Sequence, residues 1–126
     1  MSGDRFERGS KVRREVLGAD HVDAATERTN EFDASFQTFI TETAWGSVWA
    51  RPDLDRRTRS LITISILAAL GRAGELEIHL RGSRNIGVDP KEIAEALLHV
   101  AVYAGVPAAN AAVETAKRIL GEAHEP

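Results

Sequence analysis

Apolar residues recur at helical spacing along almost the whole chain. Phe6, Val12, Val16 and Leu17 fall roughly on one face of a first helix, which Gly18 would end. Asp20 is placed to cap a short helix running from Val22 to Thr29. Phe32, Phe36, Phe39 and Ile40 stand at i, i+4, i+7 and i+8, an amphipathic stripe that continues into Trp45 and Trp49. Arg51-Pro52-Asp53 interrupts it, because proline has no amide proton and biases its predecessor away from helical backbone. Asp55 is the expected N-cap of a helix over 56–70.

A glycine-flanked turn at Gly71–Gly74 then predicts a second helix over 75–86, with Gly87 suited to its C-terminal cap. Asp89, Pro90 and Glu92 read as N-cap, N1 and N3, a capping box with aspartate in place of serine or threonine. The helix they start should turn Ile93, Leu97, Val100 and Ala101 inward and stop near Gly105. Pro107 opens a last helix, 108–120. No run alternates long enough to claim a strand, so the expectation is an all-α fold in a single domain, 1–126.

Several of these faces are too apolar for a small monomer. The segment 61–70 is apolar on both sides apart from Thr63 and Ser65, and 106–116 is dense in alanine. Helices that are apolar all round need to be surrounded, and 126 residues enclose little interior. A homo-oligomer is the economical expectation.

Composition narrows the function classes. A formal net charge of −3 with interspersed signs argues against a nucleic-acid partner. The polar first 18 residues carry no apolar signal core, and the longest apolar run, Leu61 to Leu70, is too short for a membrane span, so a cytoplasmic location is expected. The chain has no cysteine, which removes thiolate nucleophiles and thiol redox chemistry. Its four histidines form no His-x-x-x-His or carboxylate-rich pairing, so no metal is expected.

His79 is the most informative single residue. It lies one turn after Glu75 and two residues before Arg81 on the helix that follows the glycine turn. An imidazole titrating near pH 6.5 on an inward face can move a proton. It can equally be a core histidine hydrogen-bonded to Glu75. His99 reads as structural, and His21 and His124 as surface residues.

The order of short motifs adds a resemblance. Trp45-Gly46-x-x-Trp49-x-Arg51-Pro52, Arg57-Thr58-Arg59-Ser60-Leu61, Glu75-Leu76-x-x-His79, Gly87-x-x-x-x-Glu92 and Tyr103-Ala104-Gly105-Val106-Pro107-Ala108 together resemble the carboxymuconolactone decarboxylase family. The resemblance covers more than half the chain and implies an AhpD-like helical bundle of about six to seven helices, usually assembled as hexamers. A related peroxide-reducing branch carries Cys-x-x-Cys-x-x-x-His; here Arg72 and Glu75 occupy the cysteine positions and His79 the histidine. The implied reaction is the cofactor-free decarboxylation of 4-carboxymuconolactone to 3-oxoadipate enol-lactone and CO2, in the protocatechuate branch of the β-ketoadipate pathway. Such a substrate is a dicarboxylate lactone that contains its own electron sink, so no cofactor is implied. Its site needs a proton donor or oxyanion partner, for which His79 is the candidate, and guanidinium groups for carboxylates, for which Arg59 and Arg81 are. Trp45 and Trp49 can wall a pocket or simply pack as core, and Glu42 can reach the same region or stay at the surface. Tyr103 and Asn110, flanking the Gly105–Pro107 turn, can hydrogen-bond the lactone or the turn's own backbone. A non-catalytic helical assembly protein on the same scaffold is the alternative reading.

Overall fold

A computed structural model describes residues 2–122. It carries seven α-helices: α1 (Ser2–Leu17), α2 (Ala19–Arg28), α3 (Ala34–Ile40), α4 (Arg56–Leu70), α5 (Ala73–Gly82), α6 (Pro90–Tyr103) and α7 (Val106–Glu122). A π-helical segment, Thr41–Trp49, follows α3, and a 3-10 turn, Ser83–Ile86, follows α5. No strand occurs among the described residues, as the all-α expectation required. His124 lies outside them.

The chain divides into two compact units, one up to Arg56 and one from Arg57 onward. In the first, Val12, Val16 and Val22 are buried together with Trp45 and Trp49. Helix α1 crosses the π-helical segment closely enough to exclude side chains. A Cβ on Gly9 would stand 2.0 Å from the Thr41 carbonyl oxygen, and one on Gly46 would stand 2.4 Å from that of Arg5. Only glycine permits such an approach. The Ala50 amide donates to the Trp45 carbonyl (3.1 Å), the i→i+5 bond that distinguishes a π turn from an α turn.

Two expectations fail in this unit. Asp20 is not the cap of α2, which starts one residue earlier at Ala19, behind Gly18 at φ 94° and with no side-chain cap bond. The phenylalanine stripe faces outward: Phe32 is 96% exposed and precedes α3, while Phe36 and Phe39 are about 60% exposed. The helical spacing holds for Phe36 and Phe39 on α3 but not for Phe32, and nothing in the unit covers that face.

The second unit holds one continuous apolar core. Ile64 and Ala68 of α4, Leu76 and Leu80 of α5, Ile93, Leu97 and Val100 of α6, and Ala109, Ala112, Ala116 and Ile119 of α7 form a single buried cluster. Alanines dominate the inner face of α7, and such small side chains suit close helix packing. The glycine stops expected at Gly71 and Gly87 hold. At Gly71 (φ 70°) the Arg72 amide donates to the Leu67 carbonyl (2.9 Å) and the Gly71 amide to Ala68 (3.2 Å); at Gly87 (φ 74°) the Val88 amide donates to Ser83 (3.0 Å). The helix expected over 75–86 is thus α5 plus the 3-10 turn.

The capping box at α6 forms as read. The Asp89 carboxylate accepts from the Lys91 amide (2.9 Å), and the Glu92 carboxylate accepts from the Asp89 amide (3.0 Å). That bond, together with Arg57, holds the Glu92 carboxyl below the usual carboxylate range. Asp89→Ala is expected to cost about 1 kcal/mol, read as a lower urea midpoint with an unchanged slope.

Candidate functional site

His79 sits on the flank of the buried face of α5. Leu76, three residues earlier, and Leu80, the next residue, are both fully in the core, which leaves the imidazole half-buried. Its Nδ1 atom is enclosed by protein. The helix places it there because the Gly71 turn fixes where α5 begins, and Leu76, Leu80 and the buried Ser83 fix its rotation. The Ser83 hydroxyl donates to the Leu80 carbonyl (2.6 Å), satisfying the last turn locally. Glu75, in the first turn of α5, is exposed.

Arg59 is the second half-buried ionisable group of this unit with an enclosed nitrogen, its Nε. It stands on α4 beside Ser60, which is 1% exposed, and one turn before Thr63, whose hydroxyl donates back to the Arg59 carbonyl (2.8 Å). Enclosed charged and proton-exchanging groups are costly in a small core and mark functional candidates.

The other sequence candidates have surroundings of their own. Arg81, proposed for a substrate carboxylate, is exposed and bound by carboxylates of its own chain: its guanidinium donates to Glu122 (2.5 Å) and pairs with Glu77 at 3.7 Å. The Glu122 bond is the main cause of its raised pKa. Glu77 in turn accepts from Arg118 (2.8 Å), so this outer flank of α5 is an ion network linking it to α7. Tyr103 is 85% exposed at the end of α6 and lies nearly parallel to His99, ring centroids 6.3 Å apart. Asn110 is exposed on α7. Trp45 and Trp49, in the first unit, are buried and stacked on each other at 4.9 Å with planes 28° apart, the packing alternative left open by the sequence. Glu42 is half-buried and pairs with Arg5 at 3.8 Å. His21 is half-buried rather than on the surface; burial, then Arg13 and Arg28, lower its pKa.

One motif proves to be architectural. Arg57 donates to the Gly87 carbonyl (3.3 Å) and to the Glu92 carboxylate. The arginine of one sequence motif thus clasps both fixed residues of another, fastening the start of α4 to the start of α6.

The sequence profile described as the carboxymuconolactone decarboxylase family matches residues 34–118. The chain belongs to that family. Among curated proteins it is 50% identical over 115 residues to a 4-carboxymuconolactone decarboxylase of Acinetobacter baylyi, covering 91% of this chain and 86% of that protein. It is 45% identical over 115 residues to a nitrosuccinic acid decarboxylase of Metarhizium robertsii, covering 90% and 80% respectively. A 4-carboxymuconolactone decarboxylase of Pseudomonas putida matches over a shorter stretch, 48% identical over 42 residues, which is 33% of this chain and 88% of that protein.

Proposed function

We infer that this protein decarboxylates 4-carboxymuconolactone, releasing CO2 and 3-oxoadipate enol-lactone. The observation that carries the reading is the 50% identity across 91% of the chain to a protein of that activity. The half-buried, enclosed positions of His79 and Arg59 support it.

The chemistry follows from the substrate. The departing carboxylate sits on a ring carbon conjugated through the double bond to the lactone carbonyl. As the bond to CO2 breaks, its electron pair passes through the double bond to the carbonyl oxygen and leaves a 2-oxyfuran-like anion. One proton delivered to the carbon alpha to the carbonyl restores the lactone and completes the product. No electrons enter or leave overall, so the tasks are binding, oxyanion stabilisation and one proton transfer. We assign the proton transfer to His79 and the grip on a substrate carboxylate to Arg59.

A second reading has its own support. The relative named for nitrosuccinic acid implies a dicarboxylate whose electrons would flow onto a nitro group instead of a lactone carbonyl. Both reactions ask for the same two groups. Presenting the purified protein with each substrate and following CO2 decides between them: kcat/KM is expected to be higher for the lactone. A preference for nitrosuccinate would transfer the assignment, and no turnover of either would return the protein to the non-catalytic scaffold reading.

The two arginines provide a sharper prediction. Arg59→Ala is expected to raise KM for the lactone by roughly 10-fold or more, the usual scale for a lost charge-assisted bond. Arg81→Ala is expected to leave KM within about twofold, because Glu122 and Glu77 already hold that guanidinium. Steady-state kinetics on both variants checks the contrast.

We further propose that the functional particle is a homo-oligomer, a hexamer as in the family, acting in the cytoplasm. Outward apolar residues on α4 (Ile62, Ile66, Leu70) and on α6 (Leu98, Val102) support association. No described helix is long and apolar enough to cross a membrane. The family match running from 34 to 118 supports treating the two units as parts of one functional domain.

A further inference from the structure

The first unit contains an arginine without a counter-charge. Arg13, on α1, is half-buried, and no carboxylate of the described residues lies within 4.0 Å of it. Its neighbour Arg14 points out and pairs with Asp23 at 2.6 Å. Arg13 has five N–H donors, yet its contacts are two long ones from a single terminal nitrogen, to Gln37 Oε1 (3.5 Å) and Thr41 Oγ1 (3.4 Å). Its Nε is enclosed and unbonded. Burial pushes its pKa below the ordinary arginine value, but a guanidinium remains charged at any physiological pH. A half-buried cation served only by distant neutral acceptors is an incomplete arrangement.

The space beside it is built for the missing partner. Arg13 lines an open cavity of about 310 Å3, at the small end of the range for small-molecule sites. Ser10 and Thr38 also line it, and neither hydroxyl makes a hydrogen bond among the described residues, so both can donate to a ligand. The Thr41 hydroxyl, by contrast, already donates to the Gln37 carbonyl (2.7 Å). Phe6 and Val22 supply an apolar wall. Burial first, and then Arg13 and Arg28, lower the pKa of His21.

We propose that this cavity binds a compact organic carboxylate, held by the Arg13 fork with Ser10 and Thr38 as donors and Phe6 and Val22 against its carbon skeleton. A planar carboxylate matches the two parallel N–H groups of a guanidinium, and the apolar wall favours an organic anion over an inorganic one. The site goes beyond the decarboxylation assigned to His79 and Arg59 and does not depend on it.

Succinate is the probe, inorganic phosphate the competitor, and the full chain the sample. Isotope-edited NMR follows the Nε–H signal of Arg13 while isothermal titration gives Kd. Succinate is expected to shift that signal. Arg13→Gln should weaken the associated binding by at least about 10-fold, and Ser10→Ala by about 2- to 10-fold, with circular dichroism confirming that each variant is folded. Binding should survive His79→Ala and Arg59→Ala within about twofold. Lactone kinetics of folded Arg13→Gln are expected to match the wild type within about twofold; a raised KM would give the carboxylate to the substrate and overturn a separate site. An unmoved Arg13 signal, succinate binding that is equal in wild type and Arg13→Gln, or phosphate binding more tightly than succinate would overturn it.

Discussion

His79→Ala is expected to lower turnover of 4-carboxymuconolactone by at least about a hundredfold while leaving KM nearly unchanged. The size is that of general acid catalysis, typically about 10²–10⁴ in rate, and the split follows because the proton is needed in the transition state and not in the bound substrate. The imidazole is half-buried between two core leucines, so truncation will also cost some stability. Activity is therefore measured per folded protein, and His79→Gln, which keeps most of the volume, accompanies the alanine variant. Free imidazole added to His79→Ala should restore part of the rate, since the truncation leaves room for it and supplies the lost acid from solution. A purely structural histidine predicts the opposite pattern: lowered thermal stability, intact turnover in the folded fraction, and no response to imidazole.

The largest effect on folding is expected far from any chemistry, at Gly9→Ala. The added Cβ would stand 2.0 Å from the Thr41 carbonyl oxygen and 2.8 Å from the Gly46 amide nitrogen, both backbone atoms with no rotamer to change. Either α1 lifts off or the π-helical segment shifts, and each exposes part of a core that includes Val12, Val16 and the stacked tryptophans. The cost is on the order of 3 kcal/mol, near the upper end for overpacking, and should lower Tm by roughly 10 °C. Gly74→Ala is the control. Nothing lies within 4 Å of its would-be Cβ and it sits in the first turn of α5, so the change should stabilise by roughly 0.5 kcal/mol. Comparable melting of both variants would refute the close crossing of α1 over Gly46.

What could be read from the sequence was what is decided locally. Gly71 and Gly87 stop their helices, and Asp89, Pro90 and Glu92 start α6, through bonds that span at most five residues. Helix faces were legible where the unit supplies its own cover, as at Ile93, Leu97 and Val100. The stripe at Phe32, Phe36 and Phe39 has the same periodicity, yet periodicity says only that a face is apolar and not what covers it. The π turn was invisible for a related reason: Trp45 and Trp49 fit an α-helical spacing, which does not separate i→i+4 from i→i+5 bonding, and α1 approaches closely along this same segment.

The candidate site was legible in its histidine and much less so in its arginines. Arginine partners are chosen across long separations: Arg81 meets Glu122 41 positions away, and Arg57 meets Glu92 35 away. No local pattern distinguishes Arg13 from Arg14, and only the fold shows which of them meets a carboxylate and which has an enclosed Nε.

Decarboxylation by this protein is tested by running the reaction in D2O with the purified wild-type protein and 4-carboxymuconolactone. One CO2 is expected per lactone consumed, and one deuterium on the ring carbon alpha to the carbonyl of the enol-lactone. Lactone that stays intact beyond its spontaneous rate, or CO2 loss without deuterium at that carbon, would contradict it.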